Sequence, residues 1–283
     1  MKILITGKAS YIGMCFEAYL AKLDCGYIVD AIDVSDETWR ETSFEGYDTI
    51  LHLSAIVHKK EKRVNKDLYQ LINCDLAVEI AQKAKQEGVK QFIFLSSMSV
   101  YGMTTGTIDI DTIPMPNSLY GESKLLAEQL LRSIESDTFK VAVLRPPMVY
   151  GKGCKGNYNL LAKWARKITL FPGIENQRSM IYIENLCHFI FLIVKEQDRG
   201  IFFPQNSEYV STVDMVKKIG IVHNKKICIE KLSALIIRKF INSEGIFSKV
   251  FGNLIYNQQI SIYKNYNYNI IDFMESIRRS EDF

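Results

Sequence analysis

The chain has 283 residues, 47% of them hydrophobic and 24% charged, with a formal net charge of +3. This is a globular composition, long enough for one large α/β domain or a domain with a smaller lobe, and too evenly charged for a dedicated nucleic-acid footprint. The densest basic run, Lys59-Lys60-Glu61-Lys62-Arg63, is broken by an acid and reads as a solvated loop.

The first element is a strand, Lys2 to Thr6, with no basic start and apolar core of a signal peptide ahead of it. It runs into Thr6-Gly7-Lys8-Ala9-Ser10-Tyr11-Ile12-Gly13 and then a helix over 12–23. A glycine-rich turn between a strand and a helix N-terminus lets backbone N–H groups approach a pyrophosphate, whose charge the helix dipole favours. The spacing is G-x-x-G-x-x-G with Ser10 in the middle slot, where serine is the smallest polar replacement for glycine. Gly7, Ser10, Tyr11, Ile12 and Gly13 are therefore candidate cofactor residues. The second strand, Tyr27 to Val34, ends on Asp33, twenty residues after Gly13. An acid there hydrogen-bonds a ribose 2′-OH and repels a 2′-phosphate, favouring NAD while leaving NADP possible. The stretch from Asp33 to the next strand is short, so a strand of the usual pattern is expected to be missing, and Asp33-Val34 could instead meet the adenine edge.

Further strands are expected at Thr49 to Leu53, Gln91 to Leu95 and Val141 to Leu144, with amphipathic helices over 66–87 and 118–135. Strands that alternate with helices and read as continuous apolar runs argue for a parallel sheet covered on both faces. The fourth strand ends in Ser96-Ser97-Met98-Ser99-Val100-Tyr101-Gly102, and strand C-termini are where ligands bind in such sheets.

Pro114 and Pro116 precede Tyr120-Gly121-Glu122-Ser123-Lys124, and good helix formers follow. On a helix, Tyr120 and Lys124 share a face, and an ammonium near a phenol lowers the phenol's pKa. Tyr120 then becomes a proton shuttle at neutral pH. The strand Val141 to Leu144 leads into Arg145-Pro146-Pro147-Met148-Val149-Tyr150-Gly151.

After about residue 152 the character changes: helical stretches over 157–168, 184–197 and 212–220, then fifty residues rich in aromatics and asparagine that read as irregular. The expected division is 1–152 for the dinucleotide domain and 153–283 for a mainly substrate-binding lobe, some of whose segments return to the first. The six cysteines form no CxxC pair, which points to a reducing cytosol rather than a disulfide framework, and no metal is expected. The most apolar run, Phe189 to Val194, stops at Lys195, too short to span a bilayer. The expected location is the cytoplasm, away from membranes.

Taken together, Gly7 to Gly13, Asp48 to Ala55, Asn73, Ser97 with Val100-Tyr101-Gly102, Tyr120 with Lys124, Arg145-Pro146 with Val149-Tyr150-Gly151, and Arg178-Ser179-Met180-Ile181-Tyr182-Ile183 resemble the extended short-chain dehydrogenase/reductases. The similar branch is the NAD-dependent epimerase/dehydratase family acting on nucleotide sugars, and the resemblance covers residues 1 to about 200. It implies an α/β fold with a Rossmann-type doubly wound parallel sheet and a smaller C-terminal substrate lobe. By the resemblance, Tyr120 is the acid/base, Lys124 lowers its pKa and holds the nicotinamide ribose, and Ser97 bonds the reacting sugar oxygen, with Ser99 beside it. Leu53, Ser54 and Ala55 line the cofactor, Asn73 supports it, and Pro146 and Pro147 border the nicotinamide. Asn157 and Arg178 match positions that grip the substrate diphosphate. His52 reads as a structural strand-end residue, and His58 and Lys59 as loop residues.

A 4,6-dehydratase of this family carries an Asp-Glu pair directly after the catalytic hydroxyl residue; Met98 and Ser99 stand there, so dehydration lacks its acid and base. The resemblance then implies a 4-epimerase of a UDP-hexose, in precursor synthesis for a surface polysaccharide. The alternative is an NAD(P)H-dependent 4-ketoreductase of a UDP-4-keto-6-deoxy sugar, which Met148 and Lys155-Gly156-Asn157-Tyr158 favour. A catalytically silent dinucleotide-binding protein is a third reading, supported by Ser10 alone. The family also implies a homodimer through helices of the large domain.

Overall fold

The computed structural model of the chain describes residues 1–57, 66–230 and 246–282. His58, Lys59 and the basic run that follows lie outside the described residues. The chain divides into two compact units: residues 1–102, 113–146 and 187–204 form the first, and 103–112, 147–186 and 205–283 the second. The chain leaves the first unit at Gly102 and again after Pro146, and residues 187–204 return to it.

The first unit is built on six strands: β1 Lys2–Thr6, β2 Ile28–Ile32, β3 Thr49–His52, β4 Gln91–Leu95, β5 Lys140–Leu144 and β6 Gly200–Phe202. They lie in the order β2-β1-β3-β4-β5-β6, every pair parallel. Its helices are α1 Tyr11–Leu23, α2 Lys66–Gln70, α3 Leu76–Gln86, α4 Leu119–Ile134 and α5 Ile183–Glu196, the last belonging to this unit from Cys187. The four inner strands, β1, β3, β4 and β5, are almost wholly buried because helices cover both faces, so their side chains need no polar alternation, whereas the edge strands β2 and β6 are partly exposed. Leu4, Ile50, Phe92 and Val141 meet Ile80, Ala84, Ala127 and Leu131 in one core cluster. The apolar run Phe189 to Val194 is part of α5 and is buried except for Phe191. No helix among the described residues is long and apolar enough to cross a membrane.

Between β2 and β3 there is only a 3₁₀ turn, Glu37–Glu41, so the outer strand of the usual pattern is absent, as the short spacing implied. The chain leaves β1 to one side for β2 and returns to the other side for β3. That reversal is the switch point at whose strand C-termini doubly wound sheets bind ligands.

The second unit has three short parallel pairs: Met148–Tyr150 with Met180–Tyr182, Leu170–Pro172 with Cys228–Glu230, and Gly106–Ile108 with Leu254–Tyr256. Helices Asn157–Lys167, Thr212–Val222, Ile246–Phe251 and Phe273–Glu281 accompany them. The final segment is therefore less irregular than its composition suggests. Phe273–Glu281 is capped by Asp272, which accepts from the Glu275 N–H at 2.9 Å, and it docks through Glu281. Glu281 is buried and accepts from Tyr158 Oη at 2.8 Å, with His223 Nε2 2.7 Å away. A nine-residue helix with so many charged positions carries too little apolar periodicity to announce itself. None of the six cysteines, all among the described residues, forms a disulfide.

Phe92, the second residue of β4, has no exposed surface. Phe92→Ala should cost about 3–5 kcal/mol of stability, read as a lowered melting temperature; a change inside 0.5 kcal/mol would contradict this packing.

Candidate active site

The loop after β1 is shaped by two glycines. Gly7 has φ +114°, and a Cβ there would come within 3.0 Å of the Ser54 backbone nitrogen, so only glycine lets the β1 loop lie against the β3 loop. Gly13 is constrained differently, by a side chain: its Cβ would meet the Ser10 hydroxyl at 2.6 Å. Ser10 caps α1, its Oγ accepting from the Gly13 N–H at 3.1 Å. Serine in the middle slot thus completes the turn that presents the α1 N-terminus. A cradle of this form, with no room for side chains at Gly7 and Gly13, fits a dinucleotide pyrophosphate. Tyr11 and Ile12 open α1 and are half-buried.

Asp33 follows β2 on the exposed surface, where the Ser35 N–H donates to it at 2.9 Å and holds its carboxyl below the ordinary range. Lys8 adds a weaker pull in the same direction. Val34 differs from the expectation. Its side chain packs in the core with Trp39 and Phe44, which leaves only its backbone to meet a nucleotide.

Leu53, Ser54 and Ala55 follow β3, the Leu53 N–H donating to the Thr6 carbonyl at 2.9 Å. Asn73 fixes this loop from a π-helical turn, Leu71–Asp75, between α2 and α3. Its side chain accepts from the Ile56 N–H at 2.7 Å and donates to the Ile56 carbonyl at 3.3 Å and to Ser123 Oγ at 3.1 Å. One fully buried amide therefore ties the β3 loop to the stretch of α4 between Tyr120 and Lys124. His52 is also fully buried: Thr6 Oγ1 lies 2.8 Å from its Nδ1, and burial pushes it down to about 3, so it is a neutral structural ring.

Ser97 caps a 3₁₀ turn, Met98–Tyr101, immediately after β4. Its Oγ accepts from the Ser99 N–H at 3.1 Å and donates to Ser99 Oγ at 3.0 Å. The Met98 N–H donates to the Pro146 carbonyl at 3.0 Å, which fastens the turn to the end of β5. Pro146 and Pro147 are both buried. At the other end of the turn, a Cβ on Gly102 would lie 2.1 Å from the Met115 carbonyl. Gly121, the second residue after the helix start, does the same for α4: a Cβ would stand 2.6 Å from the Ser99 carbonyl. The first turn of α4, capped by Ser118, thereby presses its backbone onto the serine turn and brings Tyr120 to Ser97.

The pair Tyr120 and Lys124 behaves differently from the expectation of an ammonium that acidifies a phenol. Burial pushes the Tyr120 phenol up to about 12; its hydrogen bond with Ser97 pulls the other way. Lys124 is 1% exposed, and burial pulls its ammonium down to about 7, opposed by Glu128 and then Cys74. Its Nζ donates to the Leu95 carbonyl at 2.9 Å and lies 4.4 Å from the centre of the Phe94 ring. The lysine head is thus turned to the strand end, and desolvation outweighs mutual charge for both groups.

Asn157 and Arg178 belong to the second unit. Asn157 is the exposed first residue of its helix. Arg178 donates through Nη1 to the Gly252 carbonyl at 2.9 Å, is half-buried, and has no carboxylate partner among the described residues. Burial lowers its pKa. Ser96, Glu128 and the side chain of Arg145 form a buried network behind Ser97 and Lys124 that the motif reading passed over. The signal for it was Glu128 at four residues after Lys124, on the same helix face.

The family model "NAD dependent epimerase/dehydratase family" matches residues 3–202. A UDP-glucose 4-epimerase of Vibrio cholerae is 28% identical over 234 residues, 78% of this chain and 71% of that protein. A dTDP-4-dehydro-6-deoxyglucose reductase of Escherichia coli is 24% identical over 264 residues, 79% of this chain and 82% of that one. Among solved structures, the UDP-glucuronic acid 4-epimerase of Bacillus cereus, in complex with NAD, shares the fold with a TM-score of 0.74, 18% identity, and coverage of 99% and 97%. Glycine loop, parallel sheet and a match across most of the length agree: the chain belongs to the NAD-dependent epimerase/dehydratase family.

Proposed function

We propose that this enzyme is a UDP-hexose 4-epimerase, working in the cytoplasm as a homodimer on precursors of a surface polysaccharide. The observation that supports the reading is the approach of Tyr120 to Ser97, with Lys124 one turn later on the same helix and no carboxylate at Met98 or Ser99 to eliminate water. Gly7, Ser10 and Gly13 would hold NAD, which when bound would supply reversible hydride transfer at sugar C4.

The chain's own groups do the rest. Ser97 holds the O4 oxygen, and Tyr120 moves its proton as C4 passes between alcohol and ketone. Lys124, in its ammonium form, supplies positive charge to an anionic dinucleotide, and Asp33 holds an adenosine ribose. Arg178, a half-buried guanidinium without a counter-ion among the described residues, and Asn157 take the substrate diphosphate. Leu68, Leu71, Leu126 and Leu130 leave 37%, 58%, 37% and 39% of their surface exposed on neighbouring helical segments of the first unit, which supports a dimer face there.

One observation favours a second reading, a 4-ketoreductase. Burial holds Tyr120 as the phenol, the form that donates a proton to a carbonyl oxygen. The silent reading loses its ground, because Ser10 serves as the cap of α1.

The deciding experiment releases and identifies any dinucleotide that copurifies, then incubates the protein with UDP-hexoses without added cofactor. Interconversion of C4 epimers supports the epimerase. Stoichiometric NAD(P)H consumption with a 4-keto sugar and no interconversion supports the reductase, and absence of both sinks the assignment. Tyr120→Phe should keep the fold and dinucleotide binding while turnover falls by roughly 10²-fold or more; near-normal turnover would remove Tyr120 from the mechanism. Gly121→Ala drives a Cβ into the Ser99 carbonyl, and the resulting displacement of about an ångström should also cost about 10² in turnover, with circular dichroism little changed. The Lys124 ammonium is held down to about 7, so its charge is present below that pH and lost above it. Calorimetric titration of the apoprotein should therefore show NAD affinity weakening as pH rises through 7, and Lys124→Met should flatten that profile. An equal slope in both proteins would contradict the role.

A further inference from the structure

Glu128 is 2% exposed and sits one helical turn beyond Lys124 on α4. Its carboxylate accepts from Ser96 Oγ and from Arg145, whose Nε lies 3.1 and 3.2 Å from the two oxygens and whose Nη2 lies 2.5 Å from Oε2. The remaining arm of the guanidinium, Nη1, donates to Tyr101 Oη at 2.8 Å, and the guanidinium lies over the Tyr101 ring at 5.2 Å and the Phe203 ring at 5.9 Å. Each residue so gathered adjoins the site. Ser96 precedes Ser97, Tyr101 closes the turn that Ser97 opens, and Leu95, whose carbonyl receives Lys124, precedes Ser96. The backbone is tied in as well: Ser96 N–H to the Leu144 carbonyl at 2.7 Å, and Arg145 N–H to the Phe202 carbonyl at 2.8 Å.

We propose that the Glu128–Arg145 pair is a positioning device for the proposed C4 chemistry. It locks the Ser97 turn against α4 and supplies the buried negative charge that faces Lys124. The proposal rests on the functional reading above, since it assigns Glu128 an effect through Ser97, Tyr120 and Lys124.

Stability alone does not account for the pair. Two charges buried at this depth cost desolvation, and well-packed apolar side chains in their place are often neutral or stabilising. What an apolar pair could not do is join a helix, two strand ends and a turn through a forked, directional set of hydrogen bonds. Nor could it oppose the desolvation of a neighbouring ammonium. Among the groups around Lys124, Glu128 contributes most to that task. Tyr120 and Tyr101 are phenols, Cys74 is pushed up to about 11 and stays a thiol, His52 is neutral, and Arg145 is itself a cation. Glu128 is accordingly the largest influence holding Lys124 up against burial.

The sign of the effect follows. Removing the carboxylate charge lets Lys124 lose its proton at still lower pH, while a change that only loosened packing would leave that titration where it is. Glu128→Gln keeps the shape and an acceptor for Arg145. In apoprotein carrying ¹³C-labelled lysine, the Lys124 Cε resonance, assigned by its loss in Lys124→Met, should titrate with a lower midpoint in Glu128→Gln than in the parent. Turnover of the C4 reaction should fall about tenfold or more with the sugar-nucleotide KM within about threefold, and the pH profile should move in the same direction as the resonance. In Glu128→Leu/Arg145→Met, the melting temperature should exceed that of Arg145→Met alone, where a buried carboxylate is left unpaired, yet turnover should stay low. An unmoved midpoint, or a double variant that regains turnover along with stability, would overturn the proposal and leave a structural ion pair. The resonance is read without substrate, so a parent lacking C4 activity would sink the functional reading while the titration still judges the pair.

Discussion

The first turn of α4 lies so close to the turn after β4 that a single methyl group at Gly121 would stand 2.6 Å from the Ser99 carbonyl. Around that approach the rest of the site is arranged. It brings Tyr120, one residue earlier, to the Ser97 hydroxyl, and it seats Lys124, one turn later, beneath the Leu95 carbonyl. Helix and turn are separate pieces of chain joined by a loop, and a backbone approach this close has to be held from several sides. The Asn73 amide holds α4 at Ser123, the Met98–Pro146 bond holds the turn, and the Glu128–Arg145 pair holds both at once.

The same closeness sets the electrostatics. Side chains gathered this tightly lose water, and desolvation dominates both reactive groups: the phenol rises to about 12 and the ammonium falls to about 7. Each is thereby nearer to neutral than an exposed counterpart at physiological pH. An anionic dinucleotide brought beside Lys124 would favour the ammonium, which couples cofactor binding to the charge of the site. In the loop after β1, Gly7 uses absence of side chain in the same way, to let backbone approach backbone, and Gly13 leaves room for the Ser10 cap at the α1 N-terminus.

Much of this was legible in the residues. The strand positions, the helix carrying Tyr120 and Lys124, the missing strand after Asp33 and the hydroxyl at the end of β4 all follow from local periodicity and spacing. Local pattern is informative there because buried parallel strands are continuous apolar runs and helix caps are short-range. The C-terminal helix Phe273–Glu281 escaped notice because it is short and held by the buried Glu281, a contact with residues more than fifty positions away in sequence. Val34 looked like a nucleotide contact by its neighbourhood to Asp33, but its side chain turns into the core.

By itself, then, the amino-acid sequence determined the fold class and the family of the chain, since strand–helix alternation and ordered short motifs are read from local pattern. Only the tertiary structure decided the sign of the Tyr120 and Lys124 pKa shifts, the use of Ser10 as a cap, and the partner of Glu128. Spacing along a helix says that a phenol and an ammonium share a face. Whether water, a carbonyl or a buried carboxylate stands beside them depends on which distant segments pack there, and that burial, rather than the pair itself, sets their charge.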